Sequence, residues 1–141
     1  MTQEGAPHHS FSLDVVDADL DELGHVNNAR YLDYLERGRT GWYDEAELVA
    51  KCAGTAARED FGTVVVNVNI DFRSECVGGD ALIVRTMPAR AGTKSFRVAQ
   101  RIEKVSGELA AEASVTSVVM DLKARVAVPL SDGARTLFPA S

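Results

Sequence analysis

The sequence predicts an α+β domain in which an antiparallel sheet packs on one long helix. Three observations carry this. Residues 28–52 repeat apolar side chains at helical steps. Residues 63–121 change to a two-residue period, and glycine-bearing turns cut that stretch into four strands. A sheet with one apolar face needs a cover, and only one long helix is on offer.

The elements follow in order. Residues 1–9 read as a polar, flexible tail, in which His8 and His9 form a solvated pair. The single folded domain then runs over 10–141. Phe11, Leu13 and Val15 alternate weakly in a first strand over 10–16, and an Asp-rich loop follows. The helix from Asn28 to about Cys52 places Tyr31, Leu35, Gly38, Trp42, Ala46 and Val49 on one face. Asn27 or Asn28 supplies its N-cap and Gly54 its stop. Gly38 and Gly41 each cost about 1 kcal/mol inside a helix. Close approach to a sheet explains Gly38, while a break near Gly41 remains open.

From Thr63 to Arg73 one face takes Val64, Val66, Val68, Ile70 and Phe72, and the other takes Val65, Asn67, Asn69, Asp71 and Arg73. Strands over 80–90, 94–104 and 108–121 follow turns at Gly78-Gly79, Gly92-Thr93 and Ser106-Gly107, so pairing across those turns is expected to be antiparallel. A short piece over 126–129 extends an edge.

Composition narrows the function. A chain of 141 residues suits one domain. A formal net charge of −6 argues against nucleic-acid binding, which rests on a basic surface. Cys52 and Cys76 stand too far apart for metal-ligand spacing and read as free thiols of a reducing compartment. The N-terminus lacks an apolar signal segment, and no stretch reaches the ~18 apolar residues of a membrane helix. The expected location is the cytoplasm.

The loop Asp17, Asp19, Asp21, Gly24, His25, Asn27, Asn28 and Tyr31 resembles the active-site loop of hotdog thioesterases of the 4-hydroxybenzoyl-CoA thioesterase-like family. That family has an Asp three residues before a Gly, then a short run into the central helix, then Tyr. Asp21, Gly24 and Tyr31 match at those spacings. Leu35, Glu36, Gly38 and Arg39 resemble the helix continuation. Residues 64–73 (VVVNVNIDFR), Gly79-Asp80 with Leu82, and Arg90 with Gly92, Ser95 and Phe96 resemble later strands in the same order. His25 with Asp21 is also similar to plant acyl-carrier-protein thioesterases, but Leu23 stands where those have Asn.

The resemblance implies a hotdog fold, a homodimer or homotetramer with sites at the subunit interface, and hydrolysis of an acyl-CoA without metal or redox cofactor. It implies Asp21 as nucleophile or general base, the Asn28 backbone N–H as oxyanion donor, and Gly24 as the residue that lets the loop turn back. His25 either orients a water or the carboxylate, or is structural. Asn27, Tyr31 and Glu36 fall at substrate-facing positions, with a Glu36–Arg39 surface ion pair as the alternative for Glu36. Arg90, Lys94 and Ser95 match the segment that holds CoA phosphates, and two cations there suit charge-assisted hydrogen bonds. The chemistry is coherent, because a thioester has a good leaving group and needs chiefly a nucleophile and an oxyanion site. A non-catalytic acyl-CoA-binding module and a hotdog hydratase or dehydratase are the alternatives. The loop lacks the Asn-Pro of the latter.

Overall fold

In the computed structural model, which describes residues 8–140, the first strand β1 spans His9–Asp14. It begins inside the stretch expected as a tail, and residues 1–7 lie outside the described residues. The His9 ring lies over Gly41, and its Nδ1 meets Glu45 at 3.3 Å. Helix α1 covers Asn28–Ala46 without a break at Gly41. The interruption comes instead at Glu47, whose φ of 54° is left-handed, and α2 (Leu48–Ala53) restarts the helix and stops at Gly54. The expected continuous helix to Cys52 is thus two helices.

Strands β2 (Phe61–Phe72), β3 (Ala81–Ala91), β4 (Ser95–Lys104), β5 (Leu109–Asp121) and the short β6 (Val126–Val128) complete a six-stranded antiparallel sheet. Its order is β1-β3-β4-β5-β2, with β6 beside the end of β5. The sheet packs around α1, which is the hotdog arrangement. A final turn, α3 (Asp132–Arg135), brings Phe138 against Trp42 and Phe96 with ring centroids 5.7 Å apart in both pairs.

Two expectations about β2 are corrected. It does not pair with β3 across the Gly78-Gly79 turn but with β5, and the connection crosses to the other side of the sheet. The apolar face is also reassigned. A bulge at Val66 adds one residue between the Val65–Ser117 and Asn67–Thr116 pairs. The strand period therefore slips, and Thr63 and Val65 join Val68, Ile70 and Phe72 opposite the inward residues Val119, Ser117, Val115, Ala113 and Ala111. Val64 turns outward. Strict alternation misses such a slip because the bulge carries no residue signature here.

The core forms between α1 and β3–β5. Leu35 and Trp42 of α1 and Leu82, Val84, Val98, Ile102 and Val115 of the sheet are fully buried. Tyr34, Arg39 and Tyr43 are buried as well, so the buried helix face is wider than the sequence stripe suggests. The buried amide of Gln100 is fully engaged: it donates through Nε2 to the Leu35 carbonyl and to Thr86 Oγ1, each at 2.9 Å, and its Oε1 accepts from Arg39 Nη1 at 3.2 Å.

At Gly38 the helix comes so close that a Cβ would stand 2.6 Å from Val84 Cγ1. Val84 is fully buried and β-branched, so it cannot move aside. Gly38→Ala is therefore expected to lower stability by about 1–3 kcal/mol from overpacking, outweighing the ~1 kcal/mol of helix propensity that Ala restores. A shift of the urea midpoint to lower concentration checks this.

Candidate active site

The loop before α1 folds on its own carboxylates. Asp21 Oδ1 accepts the backbone N–H groups of Leu23 at 2.9 Å and His25 at 3.2 Å. The Gly24 N–H returns to the Asp21 carbonyl at 3.1 Å, and Gly24 has a φ of +82° that any side chain would resist. The expected tight turn at Gly24 is present. Of the three alternating acids, Asp19 is committed elsewhere. Its Oδ2 accepts the Tyr34 hydroxyl at 2.8 Å, and Arg30 lies 3.8 Å away.

The loop is stitched to the chain that leaves β2. Val26 N–H donates to the Cys76 carbonyl at 2.8 Å, and His25 pairs antiparallel with Val77. This places the end of β2 opposite the helix start. A cavity of about 270 Å³ opens between them, lined by Asp21, His25, Val26, Asn28, Tyr31, Phe72, Arg73, Ser74 and Glu75. Neither Asp17 nor Asp19 lines it.

Three consequences follow from the first turn of α1. Asn27 is the N-cap, and its Oδ1 accepts the Ala29 N–H at 2.9 Å. The Arg30 N–H is taken by the Asn27 carbonyl at 2.8 Å. Among the described residues none accepts the Asn28 N–H, and Asn28 faces the cavity that holds Asp21. One unpaired donor at the positive end of a 19-residue helix therefore stands at this cavity. Such a donor suits a developing oxyanion.

Tyr31 forms a wall, with its ring 5.1 Å edge-on from Phe72. Burial pushes the Tyr31 hydroxyl well above the usual phenol range, with the neighbouring Cys76 thiol adding to the effect. Burial likewise raises the Cys76 thiol, so it is no ready thiolate. His25 Nε2 lies 2.5 Å from Glu75 Oε2.

The remaining expected residues separate. Glu36 is exposed and lines a second cavity of about 310 Å³ with Arg39, Thr40, Tyr43, Thr63, Val64 and Val65. The alternative Glu36–Arg39 ion pair does not form, because Arg39 turns inward to Gln100. Arg90 and Ser95 line a third cavity of about 250 Å³ with Gly92, Phe96, Arg97 and Thr116. Lys94 is not brought into it. The second cation is Arg97, which sits directly across from Arg90 on the neighbouring strand. Alternation along β4 puts Ser95 and Arg97 on one face, a signal that would have found it. Glu75 and Arg73 had no such signal, since they belong to the crossover after β2.

The profile of the thioesterase-like superfamily matches residues 15–138. The chain belongs to that superfamily. The long-chain acyl-CoA thioesterase FadM of Escherichia coli (strain K12) is 33% identical over 112 residues, covering 79% of this chain and 82% of that protein. The probable thioesterase YbaW of Escherichia coli superposes with a TM-score of 0.72 at 30% identity, covering 90% of this chain and 93% of that one. The 1,4-dihydroxy-2-naphthoyl-CoA thioesterase Slr0204 from Synechocystis shares the fold with a TM-score of 0.76 at 24% identity, over 93% and 95% of the two chains. This thioesterase-family chain is a thioester hydrolase, and its described residues include no helix long and apolar enough to cross a membrane.

Asn27→Ala removes the cap that occupies the Ala29 N–H. It is expected to cost about 1 kcal/mol of stability, read from the denaturation midpoint.

Proposed function

We propose that the chain hydrolyses acyl-CoA thioesters to a free carboxylic acid and CoA at the cavity between the α1 start and the end of β2. The observation that carries this is one cavity lined by both Asp21 and Asn28, whose backbone N–H has no acceptor among the described residues. The donor polarises the thioester carbonyl and then holds the oxyanion. Asp21 keeps Oδ2 free while Oδ1 is tied to the loop. Its carboxylate either attacks the carbonyl carbon to give a mixed anhydride or takes a proton from the attacking water. The thiolate leaves without assistance from a metal or redox cofactor.

Tyr31 and the exposed Phe72 wall the site, Asn27 acts on it only as the cap of α1, and the more distant Glu36 cavity offers room for an acyl group along α1. Arg90, Arg97 and Ser95 provide charge-assisted contacts for the CoA phosphates. Similarity to FadM supports an acyl-CoA substrate. The outer edge of β2 supports a homodimer or higher assembly. No strand among the described residues covers that edge, and Val65, Val66, Val68 and Phe72 on β2 are 36–58% exposed. A long apolar edge of this kind favours pairing with a second copy. The proposed setting is the cytoplasm.

The test is release of free thiol from short, medium, long and aromatic acyl-CoAs, by wild type and by Asp21→Asn. At least one substrate is expected to be turned over, with kcat reduced about a hundredfold or more in the variant. Binding without hydrolysis by wild type would favour a non-catalytic acyl-CoA module, and equal rates would remove Asp21 from the chemistry.

A further inference from the structure

The cavity beside Glu36 contains a buried cation with no anion paired to it. Arg39 and Tyr43 both line this cavity, and each is only 8% exposed. Arg39 Nη1 donates to Gln100 Oε1 at 3.2 Å, and among the described residues no carboxylate pairs with the guanidinium. Glu36, the one acid in the lining, is exposed and does not reach it. The Tyr43 hydroxyl is buried and has no hydrogen-bond partner among the described residues, and the same holds for Ser117 on β5. Burial raises the Tyr43 hydroxyl, against the opposing pull of the neighbouring Ser117 hydroxyl and Arg39 guanidinium, so it stays protonated and able to donate. A buried charge without a counter-charge and a buried hydroxyl without a partner are both costly. An anion entering this cavity relieves both costs at once.

The cavity lies on the same side of α1 as the Asn28 donor. At 3.6 residues per turn, Asn28, Leu32, Arg39 and Tyr43 fall within about 60° of one another around the helix. Arg39 stands ~16 Å beyond Asn28 along the axis. β2 borders both cavities, through Phe72 at the Asp21 site and through Thr63 and Val65 at the Arg39 site. Between these ends α1 presents the exposed Leu32, and β2 presents Val68 and Ile70. The stretch that separates the Asp21 site from Arg39 is thus apolar, and its far end is cationic.

We propose that the preferred acyl group is a chain ending in a second carboxylate, which Arg39 and Tyr43 hold while the thioester lies at the Asn28 donor. The inference rests on the hydrolytic reading above and names its substrate class. Methylene groups of the chain lie against Leu32, Val68 and Ile70. The spare guanidinium N–H groups of Arg39 and the Tyr43 O–H donate to the terminal carboxylate. A methyl-ended chain of the same reach displaces water from these donors and gives them nothing to bond. Selectivity comes from that penalty as well as from the attraction.

The test measures thiol release from acyl-CoAs of matched length, medium and long, ending in a carboxylate, a hydroxyl or a methyl group. In the best-fitting set, wild type is expected to show kcat/KM about tenfold or more higher for the carboxylate-ended member, the scale of a charge-assisted hydrogen bond. Arg39→Met should abolish this preference, and Tyr43→Phe should reduce it about threefold or more. Tyr43→Phe removes only a hydroxyl that bonds to nothing in the fold, so it decides the matter even where Arg39→Met fails to fold. A wild-type preference for methyl-ended chains, hydroxyl-ended chains equal to or better than carboxylate-ended ones, or a preference unchanged in Tyr43→Phe would each overturn the proposal. Calorimetric binding of the same compounds to Asp21→Asn separates this from failure of the hydrolytic reading. The carboxylate-ended acyl-CoA should bind about tenfold more tightly than its methyl-ended counterpart whether or not wild type turns over any thioester. Equal affinities overturn the assignment of Arg39 and Tyr43.

Discussion

The close seating of α1 on the sheet at Gly38 is the constraint on which the rest of the structure depends. With no Cβ there, the helix settles onto Val84 and Thr86, and Gln100 reaches up from β4 to the Leu35 carbonyl. These contacts set the height, rotation and slide of the helix together. The first turn of α1 is about ten residues away, or ~15 Å along the axis. Its position over the end of β2 is therefore set by packing in the core and not by the loop alone.

The loop turns that placement into chemistry. A helix start leaves several N–H groups without partners. Here Asn27 satisfies two of them, one through its side chain and one through its carbonyl, and leaves the Asn28 donor open to the cavity. Asp21 is held nearby by its own turn, and Gly24 makes that turn possible. Neither group needs a large rearrangement to act. The proposed oxyanion donor is a piece of ordinary helix geometry, and the Asp21 carboxylate is fixed by backbone donors close in sequence.

Much of this was legible in the sequence because it is local. The helix face from Tyr31 to Ala46, the turn at Gly24, the cap at Asn27 and the strands from 81 onward all rest on periods and residue types within a few positions. What the sequence hid was set by contacts far along the chain. The Val66 bulge moved the inward face of β2, and Glu47 broke the helix where Gly41 had seemed weaker. Arg39 left the surface for Gln100, 61 residues away. Lys94 gave way to Arg97 because strand register, not proximity to the turn, decides which cations share a face. Glu75 had no periodic signal at all. Its place beside His25 comes from the crossover that carries the chain from β2 to β3.

On the proposed reading, the open N–H at the start of α1 acts on the thioester carbonyl. The direct measurement is the infrared difference spectrum of an acyl-CoA with a carbon-13 carbonyl, bound to Asp21→Asn so that it is not consumed. Polarisation by that donor predicts a carbonyl stretch at lower frequency than for the same thioester free in water. A bound thioester whose carbonyl stretch is unshifted, or moves to higher frequency, would contradict it.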